Sequence, residues 1–252
     1  MTRIFFLHIP KTAGQTVHSE LSRVIGPDAT SPIRVHTQAP ETKQFPEGFR
    51  LYSGHLDWTT LPPPNRDRYA FTILRDPFER IASFYLYLAD KAARISPQHL
   101  EAPENTGLRM ISQQTADDYF FGGDASWKRF IADHYDNFYC NYLATRKMRG
   151  AGALEGMDVH EKVALAKNGA RRLDRIHDIE NLKDLEADIA RITGQTTHLA
   201  NTRVNEGPAQ SIPQRWPVLM DRIETDRNKQ KLADFAALDL ALIDDLKQSG
   251  AL

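Results

Sequence analysis

The chain has 252 residues, 41% of them hydrophobic and 26% charged, which fits a soluble globular protein with a sizeable core. A formal net charge of −1 gives no global field to attract nucleic acid, and the lone cysteine, Cys140, excludes an internal disulfide framework or a cysteine-rich metal site. The first apolar run, Ile4–Ile9, ends at Pro10-Lys11 and is too short for a signal-peptide core or a membrane span, so a cytoplasmic protein without membrane insertion is expected.

Ile4–Ile9 reads as a buried strand. From Thr16 the apolar residues Val17, Leu21, Val24 and Ile25 recur at helical spacing until Gly26-Pro27. Residues 27–49 read as loop with at most a short strand near Ile33–His36. Leu51–Ser53 and Tyr69–Leu74 read as strands, and a helix starts after Arg75-Asp76-Pro77, with Phe78, Ile81, Ala82, Tyr85 and Leu88 on one face. Residues 91–126 are polar and punctuated by proline and glycine. They are expected to be irregular, as are 194–217, and both stretches are candidates for lids or acceptor-binding loops. Helices are expected over Trp127–Leu143, Val159–Leu173, Leu182–Ile192 and Gln230–Lys247, with a strand at Arg175–Ile179. Alternating strands and helices argue for an α/β fold with a parallel sheet, whose ligands bind beyond the carboxyl ends of the strands.

Three motifs fall at such ends. Lys11-Thr12-Ala13-Gly14-Gln15-Thr16 follows the first strand and opens a helix, the arrangement of a phosphate cradle: backbone N–H groups and the helix dipole face the anion, and the lysine adds a point charge. It lacks the Walker spacing, because the lysine precedes the glycine. Arg75 ends the third strand and Ser83 lies two helical turns on. Together they would clamp a phosphate, although Arg75 pairing with Asp76 or Glu79 would be a purely structural use. Gly54-His55 closes the second strand, where a histidine could act as a general base. His8 reads as a packed histidine, Cys140 as inert, and Trp127, Phe130, Tyr135, Phe138, Tyr139 and Tyr142 as core. Arg146, Lys147 and Arg149, and Lys167, Arg171, Arg172 and Arg175, read as solvated faces. Asn201-Thr202-Arg203 is a candidate nucleotide-covering loop.

In order and spacing, the Ile9–Gly14 loop, Gly54-His55 and the Leu74–Pro77, Glu79-Arg80 and Ser83 stretch resemble the PAPS-dependent sulfotransferases. The likeness is to the branch holding the carbohydrate O-sulfotransferases and short bacterial relatives. Weaker similarity lies in Asp136–Leu143 and at Leu238-Asp239. The resemblance implies one sulfotransferase-like domain over 1–252, built as a P-loop-like three-layer sandwich whose central, mostly parallel sheet is flanked by helices. It implies that Lys11, Thr12, Ala13, Gly14, Gln15 and Thr16 hold the 5′-phosphosulfate of PAPS and that Arg75 and Ser83 hold its 3′-phosphate. His55 would take the acceptor proton and Lys11 would stabilise the leaving phosphate, with adenosine 3′,5′-bisphosphate as product and no metal. The partner would be a carbohydrate or other small hydroxylated acceptor, not nucleic acid. The chain departs from many relatives in having Gln15 where they carry a small polar residue. Two other readings stay open: a P-loop-type kinase using Mg-ATP, and a non-catalytic nucleotide- or glycan-binding protein on the same fold.

Overall fold

The computed structural model describes residues 1–199 and 214–252. In chain order the strands are β1 (Arg3–Leu7), β2 (Leu51–Gly54), β3 (Arg68–Leu74) and β4 (Arg175–Asp178). The helices are α1 (Gly14–Ile25), α2 (Pro77–Ala93), α3 (Pro97–Leu100), α4 (Thr106–Gln113), α5 (Ala116–Phe121), α6 (Ala125–His134), α7 (Phe138–Thr145), α8 (Val159–Ala170), α9 (Leu182–Thr193), α10 (Arg215–Met220), α11 (Asp226–Asp234) and α12 (Ala237–Gln248). They divide between two compact units, one of residues 1–75, 139–205 and 238–252, the other of 76–138 and 206–237.

The first unit is α/β. Its four strands are all parallel, in the order β2-β1-β3-β4, and helices flank them. A parallel sheet is buried on both faces, which is why its strands read as unbroken apolar runs. On one face Ile4, Phe6, Leu51, Phe71 and Ile73 pack with Val17 and Leu21 of α1 and Leu185 and Ile189 of α9. On the other, Phe5 stacks on Tyr52 at 4.7 Å between centroids and Phe45 meets both edge-on. β1 ends at Leu7, two residues earlier than the apolar run suggests, because the chain turns away at His8 toward the loop that opens α1. In place of a strand at Ile33–His36 there are 3-10 turns and one isolated parallel pairing, Val35 with His55.

The second unit, in its described residues, is helical. Residues 91–126 are not the irregular stretch expected from the sequence. They form α3, α4, α5 and the start of α6, and bury Leu108, Ile111, Ala116, Tyr119 and Phe120. The prolines and polar residues there begin short helices: Pro97 opens α3, and Thr115 and Asp124 cap α5 and α6 by accepting from the amides of Asp118 and Trp127. Tyr85, Tyr119, Trp127 and Tyr135 form an aromatic core in which the Tyr119 and Tyr135 hydroxyls satisfy each other at 2.9 Å. The expected helix Trp127–Leu143 is two helices, broken where Asn137 takes a left-handed φ of 46°. The expected helix Gln230–Lys247 is likewise α11 and α12, separated at Phe235-Ala236. Within 194–217, helix α10 starts at Arg215, and Asn201-Thr202-Arg203 lies outside the described residues. No helix among the described residues is long and apolar enough to cross a membrane.

Candidate active site

The loop between β1 and α1 turns sharply because Lys11 and Ala13 both take left-handed backbone angles, φ 72° and 62°. Such conformations cost roughly 1–2 kcal/mol each for residues other than glycine, so the surrounding structure must hold them. Part of that support is Thr12: its buried hydroxyl donates to the carbonyl of Ile9 at 2.8 Å, stapling the loop across three residues. Helix α1 then starts at Gly14 with no side-chain cap and no acidic residue in its first turn. By contrast α2, α5, α6, α8 and α11 all begin with a side chain on a backbone amide. The positive end of α1 thus has no carboxylate in its own first turn and follows directly on Lys11.

Gly14 is required by packing. A Cβ built there would fall inside the imidazole of His8, so only glycine lets α1 approach that ring. His8 is buried, its ring 4.2 Å from that of His55, and its carbonyl accepts from Nδ1 of His55 at 2.7 Å. His55 is held from a second side too. Its N–H donates to the carbonyl of Arg34 at 2.8 Å and its carbonyl accepts from the amide of His36 at 2.7 Å. Gly54 permits this, since a Cβ there would strike the Arg34 carbonyl.

His8, Gln15, His18, Arg34, Val35 and His55 line a cavity of about 340 Å³ beside the loop. Burial holds the His55 imidazole below its ordinary pKa, opposed by the bond to His8 and assisted by the positive charge of Arg34. His18 is pushed down to about 4, first by burial and then by Arg34. His8 lies well below the usual histidine range, again chiefly through burial. The three imidazoles are thus neutral near pH 7. Burial lowers Arg34 to about 10, which leaves it charged.

Arg75 follows β3 in the same unit. Its backbone is clamped by Tyr139, whose hydroxyl accepts from the Arg75 amide at 3.2 Å and donates to its carbonyl at 2.9 Å. Tyr139 is placed in turn by Asp239 of α12, a buried carboxylate that accepts from the amides of Tyr139 and Cys140 at 3.0 and 2.8 Å at the start of α7. Ser83 lies in the other unit, buried on the second turn of α2, a helix capped by Asp76 through the Glu79 amide at 2.9 Å. Glu79 itself accepts from the amides of Arg215 and Trp216.

The first unit thus holds Lys11–Thr16, His55 and Arg75 at the carboxyl ends of three neighbouring parallel strands. His8 is indeed packed, as expected, but it also orients His55. His18 and Arg34 were missed. His18 could have been found at i+4 from Gly14, on the face of α1 that presents the loop. Cys140 is buried, with its thiol pushed up by burial and by Asp239. No group of three or more metal-ligating side chains arranged to hold an ion occurs among the described residues.

An α/β sheet here gathers an uncapped helix start, a lysine, an arginine and a neutral histidine at the carboxyl ends of its strands, the place where such sheets bind anionic ligands. Compared with known protein families, residues 2–248 match the sulfotransferase family, and the chain belongs to it. No curated protein matches the chain. Transfer of a sulfuryl group is the family's general reaction.

Proposed function

We propose that the protein moves a sulfuryl group from PAPS to a hydroxyl of a carbohydrate or another small acceptor. The observation that carries this reading is the hydrogen bond from Nδ1 of His55 to the His8 carbonyl. A carbonyl can only accept, so the proton sits on Nδ1 and the lone pair on Nε2 is left to act as a base.

In the reaction the acceptor oxygen attacks sulfur. The bond from sulfur to the bridging oxygen of the 5′-phosphate breaks, and its electron pair stays on that oxygen. The acceptor proton passes to Nε2 of His55. Charge grows on the leaving phosphate, where Lys11 and the start of α1 stabilise it. Lys11, Thr12, Ala13, Gly14, Gln15 and Thr16 hold the phosphosulfate. Thr12 contributes backbone only, because its hydroxyl is committed to Ile9. Arg75 holds the 3′-phosphate. No metal has a role in this scheme, and a cytoplasmic setting suits it. Residues 1–252 act as one sulfotransferase-like domain, a reading supported by a family match that takes in both units.

The family match favours this over a kinase, and the oriented base favours it over a non-catalytic binding protein. Calorimetry with adenosine 3′,5′-bisphosphate and with ATP, each with and without Mg²⁺, tests it. Metal-independent binding of the bisphosphate, lost in Arg75→Ala, is expected. Preference for ATP with Mg²⁺ would overturn the reading in favour of the kinase.

A further inference from the structure

Arg34 has no place in the scheme above, yet it lines the same cavity as the base. It comes from the loop between α1 and β2, and its backbone is fixed on both sides. Its amide donates to Oε1 of Gln38 at 2.6 Å and its carbonyl accepts from His55. The guanidinium meets Nε2 of His18, whose Nδ1 lies 3.1 Å from the Ser53 hydroxyl. No carboxylate pairs with it among the described residues, and its Nε is buried without a hydrogen-bond partner among them. A carboxylate in the place of His18 would cancel the charge. The neutral imidazole supports the guanidinium and leaves its charge uncompensated. A partly desolvated guanidinium of this kind is suited to a planar anion.

The order of the sheet says which anion. The loop after β1 lies between His55 after β2 and Arg75 after β3. With Arg75 on the 3′-phosphate, the nucleotide extends toward β3, and the cavity with Arg34 lies on the β2 side. In-line transfer brings the attacking hydroxyl from the side of sulfur opposite the leaving nucleotide. Arg34 therefore stands on the acceptor side. The cavity volume, about 340 Å³, is at the small end of ligand sites and suits one ring rather than a polymer.

We propose that Arg34 binds an anionic group of the acceptor, so that the hydroxyl sulfated here belongs to a small molecule bearing a single carboxylate or an equivalent anion. This rests on the sulfotransferase reading above. Arg34 is the only lysine or arginine among the residues that line the cavity, and Lys11, whose charge also reaches His8, is assigned to the donor; one guanidinium for the acceptor suits a monoanion.

The test uses the full chain and paired acceptors: glucuronate against glucose, and para-hydroxybenzoate against phenol. Binding is read by calorimetry with adenosine 3′,5′-bisphosphate present, and turnover is read with PAPS. The wild-type protein is expected to prefer the acid of at least one pair by about tenfold or more, as a charge-assisted bond provides. Arg34→Ala should bring that preference close to parity, Arg34→Lys should keep part of it, and both should bind the bisphosphate as the wild type does. Circular dichroism confirms that both variants fold, and Arg34→Lys carries the test if Arg34→Ala does not. Four results would each overturn the proposal: no preference for either acid, including no detectable binding; a preference that survives Arg34→Ala; equal losses for acid and neutral acceptors, which would place Arg34 on the sulfuryl group; or weakened bisphosphate binding. Failure of the wild-type protein to bind the bisphosphate at all is a separate result and would overturn the donor assignment first.

Discussion

The carbonyl oxygen of His8 accepts from Nδ1 of His55 at 2.7 Å, and the His8 ring that belongs to that carbonyl packs against Gly14. One residue therefore fixes both the tautomer of the proposed base and the seat of the helix that would hold the donor. Base and cradle are mechanically joined through His8.

The two roles separate in mutants. His55→Ala is expected to lower kcat by about 10²–10⁴-fold, the usual loss for a general base, with bisphosphate affinity unchanged. Lys11→Ala should lower turnover and weaken bisphosphate binding together. Steady-state kinetics beside calorimetry distinguish them. Near-wild-type kcat in His55→Ala would remove His55 from the base role.

Gly14→Ala places a methyl group where the His8 ring lies. Overpacking of this kind costs typically about 1–3 kcal/mol. Denaturant unfolding should show that loss, and the displaced His8 should reduce bisphosphate affinity and kcat at once. A variant with wild-type stability would mean that His8 has room to swing aside.

Acidity acts on activity and on folding with the same sign. Since the folded pKa of His55 in the free protein lies below its ordinary value of 6.5, the acid limb of kcat/KM should fall at a pH below 6.5. Half-buried His18 and buried His177 are both pushed down to about 4, so each stays neutral while its unfolded counterpart protonates. Their contribution to stability is fully present above 6.5 and is lost as pH falls from there to about 4, where it levels off. Urea titrations across that window measure it. A midpoint that stays constant through the window would contradict the assignment of neutral rings.

Asp239 lies far from the donor loop in sequence, yet it caps the start of α7, where Tyr139 clamps the backbone of Arg75. Asp239→Ala leaves two buried amides unpaired and should cost about 2–4 kcal/mol, read by chemical denaturation. It should also weaken bisphosphate binding through Arg75, whereas Cys140→Ala should leave that binding alone.

The strands were legible because a parallel sheet buries both faces, and β1 and β3 appear as plain apolar runs. The loop at Lys11–Thr16 was legible because lysine, glycine and a helix start are adjacent in sequence. Residues 91–126 were misread because proline and glycine punctuate short helices as readily as they punctuate loops. The burial of Leu108, Ile111 and Phe120, which decides between the two, is a tertiary fact. Arg34 was invisible for another reason. Its segment has no periodicity, and its place beside His55 follows from a pairing of Val35 with a residue distant in sequence. The histidine could be singled out from the strand it ends; what surrounds it required the order of the sheet.

Lys11 and Ala13 adopt backbone angles at which glycine would be the cheaper residue. A glycine-rich loop would wander among many shapes and would have to be frozen each time an anion arrived. Here that ordering is completed during folding, so a donor held as proposed would meet a loop already shaped. Ala13→Gly would relieve the strain and could leave the folded protein as stable as before, yet it should loosen the grip on the bisphosphate. The rigidity of six residues, rather than any added contact, then accounts for part of the affinity.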